Sequence, residues 1–227
     1  MIRYIFSPKW FYGVDIAFEL FSMIITFLIA RYGYELYKIS GNKKHKYFSL
    51  FFLLIGIAFL FKIIANFDIY YVNTVSIEIA NSIFYFTTSH VSEMLFILGF
   101  SIFKFLMLLS FFGLLYILWD EKPGIFWLSL YFILIITIFS HGTYYIFHLS
   151  MTMILAFLLS YYYRNYAEKS SRESFLIMLS FLMLTLSQLA FITIALDMVM
   201  YVVGETLQLI GYAILLYHYI LVTRYEK

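Results

Sequence analysis

The sequence predicts an all-α polytopic membrane protein, a bundle of seven transmembrane helices with the N-terminus outside and the C-terminus cytoplasmic. Three observations carry that prediction. Of the 227 residues, 64% are hydrophobic and 12% charged, whereas a soluble domain carries about a quarter charged residues and under half apolar ones. The apolar residues fall into runs of span length separated by charge clusters. The Lys and Arg residues of the short connections then sort almost entirely to one side.

A helix needs about 20 apolar residues to cross a hydrocarbon core about 30 Å thick. The first such run is 14–34, with Arg31 and Glu35 placed as an i,i+4 pair at its inner end. The second is 47–67 and the third 94–118. Between them, 68–93 is long and only moderately polar, with room for an interfacial helix or an outward extension of the third span. From Pro123 to Tyr163 no residue is charged, and one helix of that length would measure about 60 Å, twice the bilayer core. It therefore folds back at His141-Gly142-Thr143, giving spans 125–141 and 144–163. Ser170 and Glu173 have capping-box spacing before the sixth span, 175–196. Asp197 stands where an N-cap would begin the seventh, 198–222. The whole chain, 1–227, reads as one transmembrane domain.

With seven spans and the N-terminus outside, the inner side collects Lys38, Lys43, Lys44, Lys46, Lys122, Arg164, Lys169, Arg172, Arg224 and Lys227, leaving Arg3 and Lys9 outside. Short loops rich in Lys and Arg stay cytoplasmic, so this is a multi-pass cell-membrane protein oriented N-out and C-in. The first ten residues have no signal-peptide pattern. The absence of cysteine removes disulfides, zinc-thiolate sites and iron–sulfur clusters. The inner loops are too short to fold as domains, so a signalling partner would be a separate cytoplasmic or membrane protein docking on the basic loops. Beyond the lipid bilayer and such a partner, oligomers are compatible with the sequence, and nucleic acid is not an expected ligand. The chain is expected to be non-enzymatic.

Function should sit where charge is costly, because an ionisable group at mid-span costs about 2.5–3.5 kcal/mol on insertion scales and faces the bundle interior or a cavity. Glu19 and Glu205 lie roughly 7–11 Å below the outer boundary at 1.5 Å per residue, too deep for a short side chain to reach the headgroups. Lys62 is shallow enough for its long stem to snorkel. Lys104 lies about 15 Å from either surface by the same rise and is the best single candidate for a functional charge, the alternative being an ion pair with Glu19 or Glu205 that fixes bundle packing. These four, Glu19, Lys62, Lys104 and Glu205, are the ligand-binding candidates.

Histidines supply a second set. His90 and Glu93 share a helical face at i,i+3, and His141 and His148 flank the outer turn, with Met151, Met153, Met198 and Met200 nearby in sequence. Imidazole with thioether ligands suits copper, and two imidazoles from different helices can clasp a haem iron. His90, Glu93, His141 and His148 are therefore the metal candidates, with haem or copper as the cofactors they would hold.

Family patterns narrow little further. The last span holds no lysine for a retinal Schiff base. Ser-x-x-x-His and His-x-x-x-His spacings of seven-span zinc hydrolases are absent, as is Gly-x-Ser-x-Gly. Both prolines, Pro8 and Pro123, lie outside the spans, so no Pro-kinked transporter repeat is present, and Gly204 with Gly211 one heptad on favours close helix packing. The leading expectation is an outward-facing polar pocket that binds a small ligand or ion, used for sensing or receptor-like signalling. A transporter or ion-conducting protein with a Glu19, Lys104 and Glu205 relay, a haem or copper redox subunit, and a structural or accessory subunit are the alternatives.

Overall fold

A computed structural model describes residues 7–78, 85–119, 123–140 and 143–225, with side chains described except at 68–93, 123, 125 and 223–225. Every long element among the described residues is helical: α1 (Val14–Ser40), α2 (Lys43–Glu78), α3 (Tyr85–Trp119), α4 (Pro123–Phe139), α5 (Tyr144–Lys169), α6 (Arg172–Ile192) and α7 (Val199–Tyr225), with 3₁₀ turns at Lys9–Phe11 and Thr193–Ala195.

Local chemistry sets the ends. Gly41 closes α1 in the left-handed region (φ 66°), its N–H donating to Tyr37 O, a conformation that costs glycine nothing. The Asn42 Oδ1 accepts from Lys44 N at 2.9 Å, so α2 starts immediately. Asp197 Oδ1 accepts from Val199 N at 2.8 Å, as expected of a cap for α7. The Arg31–Glu35 pair forms at 3.3 Å. The cap before α6 is one residue later than the capping-box spacing suggests. Ser170 ends α5 with φ 48°, and Ser171 Oγ accepts from Ser174 N.

The ends of α2 and α3 lie beyond the expected bounds 67 and 94, with α3 taking the outward extension that the sequence leaves room for. α2 runs on to Glu78 and α3 begins at Tyr85, so most of 68–93 extends these two helices, and residues 79–84 lie outside the described residues. Five stretches are long and apolar enough to cross a membrane: Lys43–Phe67, Met94–Trp119, Tyr144–Lys169, Arg172–Ala195 and Val199–Val222. α1 falls outside that set because it carries Asp15, Glu19, Arg31, Glu35 and Lys38. α4 does so because its 17 residues extend only about 26 Å.

Sequential helices are antiparallel, and α1, α2, α3, α5, α6 and α7 close into a ring, while α4 packs against α3 and α5. α4 buries Ile133 and Thr137, with Ser140 just beyond its end also buried, and exposes Trp127, Tyr131, Phe132 and Ile138. Helix α7 lies tight on α6: a Cβ on Gly211 would stand 3.1 Å from Ser180 O, the close approach that Gly204 and Gly211 suggest. The ring interior is divided by height. Away from the end where α1 begins, it is packed mainly by apolar side chains, among them Ile29, Phe52, Phe111, Leu155, Phe181 and Leu215, with Ser110, Ser180 and His218 also buried there. At the end where α1 begins, it is polar.

Candidate functional site

The polar end is assembled one side chain at a time by helices that meet nowhere in the sequence. Glu19 comes from the second turn of α1, Lys62 and Asn66 from one face of α2 at i,i+4, and Glu205 from the second turn of α7. Antiparallel packing brings α1, α2 and α7 to the same height there. Lys62 Nζ lies 3.0 Å from Glu19 Oε1 and 2.5 Å from Glu205 Oε1. Asn66 Nδ2 donates to the same Glu19 Oε1 at 2.7 Å. Glu19 is 0% exposed, Glu205 2% and Lys62 5%, so Lys62 points into the ring and does not snorkel to the surface.

Aromatic faces complete the surroundings of the ammonium. Lys62 Nζ lies 5.6 Å from the Phe103 ring centroid and 5.9 Å from those of Phe191 and Tyr201, within the range where a cation is drawn to the negative face of a ring. Asp15, one turn before Glu19 and also fully buried, accepts from the N–H groups of Gly13 and Ile16. Those donors are the unsatisfied amides of the α1 start, which favour a carboxylate. Just outside α1, burial and the Asp15 carboxylate push the Tyr12 phenol above its ordinary range.

Above Phe191 the cluster is roofed. Phe11, from the turn Lys9–Phe11, packs into an apolar group with Phe191, Ile194 and Tyr201. Its ring meets Phe18 and Tyr201 edge-on at 5.5 and 6.4 Å. Two walls of the Lys62 site, Phe191 and Tyr201, are thus also the floor under Phe11.

The remaining candidates separate. Lys104 pairs with neither glutamate: its Nζ donates to Ser140 O at 2.8 Å, beyond the end of α4, with the Phe100 ring 5.9 Å away. The pairing of Lys104 with Glu19 or Glu205 is therefore corrected: the lysine between the two glutamates is Lys62, because α2 is the helix beside α1 while α3 stands one place further round. His148 shares this end of the bundle, its Nδ1 bonded to Gln188 Oε1 at 2.8 Å and its ring 5.0 Å from that of Phe191. Among the described residues no three His, Cys, Asp or Glu side chains are grouped to hold a metal ion. His141 and the side chains of His90 and Glu93 lie outside the described residues. Met151 is buried in the apolar core, and Met153 and Met198 are exposed.

Sequence reasoning missed Asn66, Gln188 and the three rings. Asn66 and Gln188 carried a usable signal, since an amide inside an apolar span also needs a partner. The rings carried none, among 27 Phe and 22 Tyr. No family model, curated protein or solved structure matches this chain.

Proposed function

We propose that this chain is a seven-span membrane protein, N-out and C-in, whose polar outer end binds a small ligand or ion and passes the event to a cytoplasmic partner, as a sensor or receptor does. One observation carries the reading: a lysine and two glutamates from three helices are gathered, fully buried, at one end of the bundle, while among the described residues no Asp, Glu, Lys or Arg is buried toward the other end. Burying an ion pair is a weak source of stability, since well-packed apolar residues of like volume commonly do as well. A buried charge cluster inside a membrane is by default a functional site.

Lipid contact accounts for the outer surfaces. α1 turns Asp15 and Glu19 inward and exposes Leu20, Phe21, Ile24 and Leu28, and α4 exposes an almost wholly apolar face. Both patterns suit a span with lipid on one side and the bundle on the other. Among the described residues the half away from the cluster buries no Asp, Glu, Lys or Arg, which favours binding over conduction through a charge relay across the membrane.

Signal transfer follows from connectivity. Glu19 and Lys62 sit on the two helices joined at Gly41-Asn42, within the basic stretch Lys38 to Lys46. A ligand that redistributes the Lys62 contacts biases α1 against α2, and the hairpin carries the shift inward. The test is a ligand screen on purified protein, read by thermal unfolding. The expected result is a saturable rise in Tm that Glu205→Gln weakens, moving it to higher ligand concentration, with no flux of the ligand into proteoliposomes. Ligand flux would overturn the sensor reading in favour of transport, and a Tm rise unaffected by Glu205→Gln would place binding elsewhere.

A further inference from the structure

Charge and hydrogen bonding within the cluster are unevenly matched. Glu205 faces the Lys62 ammonium, and Asp15 is met by two backbone N–H groups. Glu19 takes both of its donors, Lys62 and Asn66, on the single oxygen Oε1. Its other oxygen, Oε2, is fully buried and has no hydrogen-bond partner among the described residues. A carboxylate carries charge on both oxygens and normally accepts on both, and buried acceptors left without a donor are rare enough in folded proteins to call for an explanation.

Two glutamates also share one lysine, so the trio has room for one more positive charge. The rings of Phe103, Phe191 and Tyr201 already accommodate an ammonium group between those carboxylates. Among the described residues no third hard anionic ligand approaches closely enough to favour a divalent metal.

We infer that the ligand of this site is a small monovalent cation, an alkali ion or a primary ammonium, which binds at Glu19 Oε2 between Glu19 and Glu205 and competes there with Lys62. This rests on the binding reading above and names its ligand class. Lys62 is then a resident competitor: cation arrival at Glu19 leaves Lys62 to Glu205 alone, and cation loss restores the bridge. That exchange of partners between α1 and α7 is the two-state element that binding would bias.

The test uses the full chain in lipid nanodiscs, with thermal unfolding followed while N-methylglucamine chloride is replaced by NaCl, KCl or methylammonium chloride at constant ionic strength. In the wild-type protein one of the three should raise Tm saturably, which also separates alkali ions from amines. Glu19→Gln should abolish that response. Lys62→Met should start from a lower Tm and recover with a half-saturating concentration about tenfold below wild type, as expected when a competitor that occupies the site about nine-tenths of the time is removed. Glu205→Gln, which leaves Lys62 no alternative to Glu19, should shift half-saturation upward, and it serves if Lys62→Met does not fold. A Lys62→Met loss that none of the cations repairs, or a wild-type response in Glu19→Gln, overturns the inference. If no cation acts but another ligand stabilises the protein through Glu205, the cation assignment fails and the binding site stands. If nothing acts, both fail.

Discussion

Lys62 is the residue on which the cluster turns. Its ammonium reaches carboxylates on two other helices, so Lys62→Met leaves Glu19 and Glu205 buried with no cation between them. Removing one partner of a buried pair costs about 3–5 kcal/mol, most of it the penalty of the stranded charge. The triple variant Glu19→Gln, Lys62→Met, Glu205→Gln strands nothing and should recover most of that loss. Denaturant titration in mixed micelles, with no small cation present, measures both, and a triple variant no more stable than Lys62→Met would refute the ion-pair account. Lys104→Met should be far milder, because it removes one charged hydrogen bond to Ser140 O, worth about 1.5–3 kcal/mol, along with the cost of burying the charge. The sequence shows that Glu19, Lys62, Lys104 and Glu205 are costly to bury. It does not show that Lys62 rather than Lys104 meets the glutamates, because pairing depends on which helices are neighbours in the ring. Depth along a span is linear information, whereas angular position is settled only when the bundle closes.

Helix ends show the same division between local and non-local information. Asp197 and Arg31 with Glu35 act within one turn, and each is found where residue spacing places it. The lengths of α2 and α3 are not local in this sense: the moderately polar stretch 68–93 leaves room for an interfacial helix or an outward extension of the third span, and the helices continue past the expected span ends to Glu78 and back to Tyr85. The turn Lys9–Phe11 is the least legible element, a short aromatic and basic stretch whose role depends on Phe191 and Tyr201 far along the chain. Because Phe11 is 3% exposed on the rings that wall the Lys62 site, Phe11→Ala should open that end locally. Buried Phe→Ala changes cost about 3–5 kcal/mol in a packed core. Hydrogen exchange followed by mass spectrometry should show protection falling at the start of α1 and around Phe191 to Tyr201, with Phe52 and Phe111 regions unchanged. Uniform loss throughout the bundle would mean that Phe11 supports the whole fold and not one end of it.

For the molecule as a whole, the two ends of the bundle differ in kind, and the orientation in the bilayer decides what the polar end can meet. In the proposed seven-span arrangement ten cations fall on one side and two on the other, and the positive-inside rule would then put the Glu19, Lys62 and Glu205 cluster outside. The absence of cysteine allows a direct test with single introduced thiols and a membrane-impermeant maleimide on intact cells. Lys9→Cys and Leu196→Cys, both exposed, should label from outside, while Asn42→Cys and Glu168→Cys should label only after permeabilisation. Each position tests one crossing. If α1 lay on the surface instead of spanning, Lys9 would share a side with Asn42. If α4 entered and left by the same face, Glu168 would label from outside and Leu196 would not. A short α4 gives physical grounds for that second alternative, since about 26 Å of helix must be matched by local thinning or by tilt in its neighbours. What opposes it is Lys104, whose ammonium is held on Ser140 O just past the end of α4, at the height of the buried cluster. An α4 that turned back early could not deliver that carbonyl, so labelling of Glu168 from outside would contradict the bundle itself as well as the count of spans.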